Sequence, residues 1–142
     1  MLYFAQMVTP MPTLDPHDFE MLAERAEIGL WIRTLNGSAL YANRCLEQLL
    51  GVDRHALASA DAWLALVHPD EQPRVRARWA AGDWSDYREV YSIVRPGGGW
   101  VRLEDRTLHL NENRSGPPVV VGSVRLVDGE AGGPHLPALK TT

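Results

Sequence analysis

Five histidines, a single cysteine and the neighbouring carboxylates Glu104 and Asp105 are the groups in this 142-residue chain whose chemistry could serve catalysis or metal binding. Their spacing speaks against both. The histidines stand at 17, 55, 68, 109 and 135, and no two are three or four residues apart, the separation that puts two ligands on one helix face. Cys45 alone can form neither an internal disulfide nor a cysteine-based zinc site. There is no Gly-x-Ser-x-Gly nucleophile elbow. Gly97-Gly98-Gly99 lacks the lysine and helix start of a phosphate loop, so it reads as a hairpin turn. Glu104 and Asp105 are adjacent on a strand-like segment, which sends them to opposite faces and makes them a poor acid–base pair. Neither an enzyme nor a metal site is expected.

The elements that position these residues follow from local signals. Residues 1–14 read as irregular, with Pro10 and Pro12 as interruptions. A helix is expected over 15–28, with Asp15 as cap and Pro16 at its first position. Phe19, Leu22, Ala23 and Ala26 form its apolar stripe. Leu30 to Thr34 and Leu40 to Ala42 read as a hairpin around Asn36-Gly37. Asn43 then caps a helix that ends at Leu50-Gly51. Residues 52–68 read as short helical turns containing Trp63, Leu64 and Val67. His68-Pro69-Asp70-Glu71 breaks the chain and caps a helix over 71–81, with Val75 and Trp79 inward and Arg74, Arg76 and Arg78 outward. Strands are expected over 87–94, 100–110 and 119–127, and a flexible Gly-rich tail over 129–142. The order gives an α+β domain over 29–128, with a five-stranded antiparallel sheet, small helices on one face and an N-terminal amphipathic helix.

Composition limits the partners. The chain is 45% hydrophobic and 23% charged, with a formal net charge of −4, as expected of a soluble globular domain. A mildly acidic balance gives no electrostatic case for nucleic acid or an anionic membrane. No apolar run approaches the roughly 20 residues of a membrane span. The N-terminus lacks the basic and apolar segments of a signal peptide, and a cytoplasmic, reducing location fits the single thiol.

Taken in order, several segments resemble the PAS domain, the sensory module of bacterial signalling proteins. Ala26-Glu-Ile-Gly-Leu-Trp31 is similar to the family's opening strand, in the subgroup with a Trp after the Gly. Asn36-Gly37 through Tyr41-Ala-Asn43, then Leu49-Leu-Gly51, resemble the first hairpin and the helix after it. Trp63 through Val67-His-Pro-Asp-Glu71 is similar to the Trp and His-Pro-Asp segment. Tyr91 through Arg102 resembles the Arg, Asp-Gly turn and Arg-Trp pattern, with Gly97-Gly98 for Asp-Gly. Gly116-Pro117, a valine run and Gly122 complete a resemblance over residues 28–127. One departure is Leu126-Val-Asp-Gly129, where many members carry an Asp-Ile-Thr or Asp-Val-Thr junction to an effector.

The resemblance implies a sensory or regulatory domain that binds a small organic ligand between sheet and helices. Such a domain modulates an output such as a histidine kinase, a diguanylate cyclase or a phosphodiesterase. The residues it places along that cavity are Trp63, Trp79, Tyr91, Leu103, Val120, Gly122 and Val124. The same aromatics can instead fill the space, provided their polar atoms find acceptors. Arg33 and Arg102 are read as strand arginines on the solvated face, with contact to an anionic head group as the alternative. The cofactor is left unknown. Haem is disfavoured because the helix over 71–81 holds no histidine; His68 reads as a capping and packing residue and His109 as exposed. A flavin adduct is disfavoured because Cys45 lies in the helix after the first hairpin, where it reads as packed. The competing function is a ligand-free module for homodimerisation or protein interaction, pairing through Phe19, Leu22 and Ala26 of the first helix.

Overall fold

The computed structural model describes residues 16–112 and 115–132. Residues 1–14 and the expected cap Asp15 lie outside them, as does the tail beyond Gly132. Helix α1 (Pro16–Arg25) ends three residues short of the expected boundary. Strands β1 (Gly29–Thr34) and β2 (Ala39–Ala42) form the first hairpin. Gly37 turns it with φ 93°, a left-handed conformation that favours glycine. Helix α2 (Arg44–Leu50) follows, then a 3-10 turn (Arg54–Leu57), α3 (Ala60–Leu64) and α4 (Gln72–Ala80). The chain closes with β3 (Arg88–Val94), β4 (Trp100–Asn111) and β5 (Val119–Gly132). The five strands form one antiparallel sheet in the order β2-β1-β5-β4-β3.

The helices cover one face of this sheet. Leu46, Leu50, Leu57, Trp63, Leu64, Val75 and Trp79 pack against Trp31, Tyr91, Ile93, Val101, Leu103, Val120 and Val124 in a single buried cluster. Alternation along each strand places these sheet residues on the same side. Among the described residues, no helix is long and apolar enough to cross a membrane.

Asn43 fastens the first helix to the sheet. Its side-chain oxygen accepts from the Leu46 amide at 3.0 Å, as a helix cap does, and from Leu30 N at 2.9 Å. Its amide nitrogen donates to the carbonyls of Ala23 at 2.7 Å and Ile28 at 3.0 Å. Glu24, on α1, accepts from Tyr41 Oη at 2.8 Å and from Arg54 Nη1 at 3.0 Å. Burial opposes ionisation of Glu24, but the hydrogen bonds from Arg54 and Tyr41 outweigh it and lower its pKa.

Three sequence expectations change. Glu71 precedes α4 without capping it by its side chain. Its carboxylate instead accepts from Ser92 N at 2.8 Å and pairs with Arg74 at 2.9 Å. That contact, with His68 N donating to Ser92 O at 2.9 Å, covers the outer edge of β3 and leaves less of it open to foreign strands. β5 runs past Val127 to Gly132, so residues 129–132, expected in the tail, form a strand that brings Ala131 and Gly132 opposite Val101 and Trp100. Arg33 is not on the solvated face. It is completely buried, because it follows Trp31 by two residues and shares its inward face.

Candidate functional site

The centre of the core is polar. Arg33 on β1 and Asp105 on β4 are both fully buried and joined by an Nη2–Oδ2 contact of 3.0 Å. β5 lies between their strands, and Gly122 on β5 is paired with both Trp31 and Thr107. A Cβ at position 122 would collide with the Trp31 ring and the Arg106 carbonyl oxygen. The missing side chain lets the Trp31 indole lie over β5, and its Nε1 reaches Asp105 Oδ1 at 2.8 Å.

Asp105 also accepts from Tyr87 Oη at 2.9 Å and Tyr91 Oη at 2.7 Å. Those phenol oxygens in turn accept from Trp79 Nε1 at 2.8 Å and Trp63 Nε1 at 3.1 Å. Trp84 donates to the Leu35 carbonyl at 2.8 Å. Every one of these buried indoles therefore has the acceptor that a filled aromatic core requires.

Arg33 occupies the space between the rings. Its guanidinium carbon is 3.9 Å from the ring centroid of Trp63, 4.0 Å from Trp31, 4.3 Å from Trp79 and 5.5 Å from Trp84. These are cation–π distances. The rings also meet one another, with Trp63–Trp79 at 5.8 Å and 80° and Trp84–Tyr87 at 4.8 Å and 61°. Arg33 Nε and Nη1 are buried with no hydrogen-bond acceptor.

The electrostatics favour a charged Arg33 and neutral Tyr87 and Tyr91. Burial is the largest single influence on Arg33 and lowers its pKa, but the Asp105 charge and hydrogen bond, together with Tyr87 and Tyr91, outweigh it and the guanidinium stays charged. Burial, and then the Asp105 charge, push the Tyr87 and Tyr91 phenols well above their usual 10.0. Both tyrosines are donors to the carboxylate at neutral pH. Glu104 faces the other way, bonded to Arg125 at 3.0 Å and Arg88 at 2.6 Å; hydrogen bonds from these two arginines lower its pKa.

The structure brings the seven cavity candidates together. Trp63, Trp79, Tyr91, Leu103, Val120 and Val124 are in the core, and Gly122 is buried beneath Trp31. The residues that organise them, Trp31, Arg33, Trp84, Tyr87 and Asp105, are absent from the sequence-derived set. The available signal was the inward register of Arg33 with Trp31 and of Asp105 with Leu103. Arg102 is partly buried and donates to Ser92 Oγ at 3.1 Å. On α1, Leu22 is 62% exposed and Ala26, just beyond it, is partly buried, whereas the Phe19 side chain lies outside the described residues. His68 is buried and its Nδ1 accepts from Asp70 N at 3.0 Å, whereas His109 is exposed. Cys45 is partly buried, which, with Glu27 nearby, raises its thiol pKa. A hollow of about 150 Å³ lies outside the core, between β2 and the 3-10 turn, beside Tyr41, Arg54 and His55. No group of three or more His, Cys, Asp or Glu suited to a metal occurs among the described residues.

The family model for the PAS fold matches residues 39–124, more than half of the chain. The chain belongs to the PAS family. Solved PAS structures agree with the architecture. The N-terminal domain of a diguanylate cyclase with a PAS/PAC sensor from Marinobacter aquaeolei is 20% identical with a TM-score of 0.59, covering 70% of this chain and 94% of that one. The PAS domain of an HTR-like protein from Haloarcula marismortui is 16% identical, TM-score 0.56, covering 78% and 90%. A domain of a sensory box sensor histidine kinase/response regulator from Geobacter sulfurreducens is 19% identical, TM-score 0.54, covering 88% and 96%. At such identities the likeness is one of fold. No curated protein matches the sequence. In this PAS domain, the space between sheet and helices holds Arg33.

Proposed function

We propose that this PAS domain is a regulatory module of a signalling protein that works through its outer surface, by pairing with a second copy, while its interior is kept closed by Arg33. The observation that carries the reading is the guanidinium within 4.3 Å of three indole centroids, in the space where a small ligand would sit. The named relatives, a diguanylate cyclase and a sensor histidine kinase, support a signalling context. The surface offers complementary features. Helix α1 exposes Met21 and Leu22 beside the acidic Glu20, and the outer sheet face carries Arg88 opposite Arg106. Leu22→Glu is expected to convert a dimer to a monomer with little change in melting temperature. Light scattering measures this; a monomeric wild type, or a variant that stays dimeric, contradicts the reading.

A second reading, a sensor of a small organic ligand, is favoured by one observation. Arg33 Nε and Nη1 are buried donors without acceptors, and a ligand oxygen would satisfy them. It requires the core around Trp63, Trp79 and Tyr91 to open.

A further inference from the structure

We propose that the aromatic cage formed by Trp31, Trp63, Trp79 and Trp84 is a guanidinium-recognition site whose resident ligand is the Arg33 side chain, and that a free guanidinium-type cation takes the same place when that side chain is removed. The inference rests on the closed-interior reading, not on dimerisation. The cage has the chemistry of a receptor for a flat cation. Indole faces are negative, so they attract a cation and repel an anion. Asp105 supplies one carboxylate contact, at 3.0 Å, which fixes one end of the guanidinium. Only Nη2 bonds to it, and Nε and Nη1 are left to the aromatic surroundings. The rings must therefore provide much of what replaces water around this charge. That arrangement selects for shape. A planar, weakly hydrated guanidinium lies against several rings at once, whereas a compact, strongly hydrated ammonium does not. Asp105 is also held by Trp31, Tyr87 and Tyr91, so it stays fixed when the cation leaves.

Thermal melting of two variants tests the proposal. Arg33→Ala is expected to melt well below the wild type. Low-millimolar methylguanidinium, far under the molar range in which guanidinium denatures, is expected to recover several degrees by binding the folded state. Urea, of the same shape but neutral, and ammonium, charged but compact, are expected to recover none. If Arg33→Ala does not fold in buffer, folding only with methylguanidinium supports the site, and no folding with it overturns the site. Arg33→Lys keeps a positive charge opposite Asp105 and so guards against simple loss of charge balance. It is expected to melt well below the wild type. Wild-type stability for Arg33→Lys, or an equal response of Arg33→Ala to all three compounds, overturns guanidinium recognition. These readouts concern the interior alone, so they hold whether or not Leu22→Glu changes the oligomeric state.

Discussion

Asp105 accepts from four donors, Trp31, Arg33, Tyr87 and Tyr91. Three of them converge on Oδ2, and the Trp31 indole alone takes Oδ1. The sequence places Asp105 on the strand face opposite Glu104, as the structure has it, but gives it no role because its partners are at least 14 residues away. Arg33 was read as solvated because arginines seldom lie buried without a partner, and that partner is 72 residues away. The tyrosines give this centre a signature in alkali. Their folded pKa values lie well above 10.0, so unfolded tyrosines ionise first. The stabilisation is complete below about pH 10 and is lost as pH rises toward the folded values, at up to ~1.4 kcal/mol per pH unit for each residue. Tyr91→Phe should remove one residue's share of that slope. At neutral pH it should cost about 1–3 kcal/mol, because Trp63 Nε1 loses its acceptor. Urea unfolding at a series of pH values measures both effects; an unchanged alkaline slope would contradict them.

At the scale of elements, the features written in neighbouring residues were legible. The Asn36-Gly37 hairpin, the Asn43 cap and the Gly51 stop, which has φ 72°, all lie where local chemistry places them. The features set by distant partners were not. Glu71 looks like a helix cap, yet its carboxylate reaches Ser92, 21 residues on. The stretch Gly129-Glu-Ala-Gly132 has little strand propensity, and its last two residues, Ala131 and Gly132, are paired with β4. Gly122 was noticed as part of a cavity lining, whereas its role is to leave β5 bare beneath Trp31. Gly122→Ala is therefore expected to force the indole away from Asp105 and to cost about 1–3 kcal/mol or more through overpacking. Near-ultraviolet circular dichroism and denaturant unfolding report the two effects. A variant with wild-type stability and spectrum would show that the ring does not need the space.

The whole molecule shows which part of a PAS domain a sequence can specify. The hairpins β1–β2 and β3–β4–β5 follow from turns and hydrophobic period, whereas the pairing of β1 with β5 is set by contacts distant in sequence; the five-stranded antiparallel sheet with its small helices matches the expected α+β architecture. Whether the interior is open depends on how side chains from β1, α3, α4 and β4 fill one volume, which is a property of packing. Here an arginine, four tryptophans and two tyrosines fill it, with Asp105 binding them together. Mass spectrometry of the purified protein under native and denaturing conditions tests this directly. The native mass is expected to be that of the polypeptide or a simple multiple of it, with nothing released on denaturation. A heavier native species that sheds a small molecule on unfolding would contradict a closed interior.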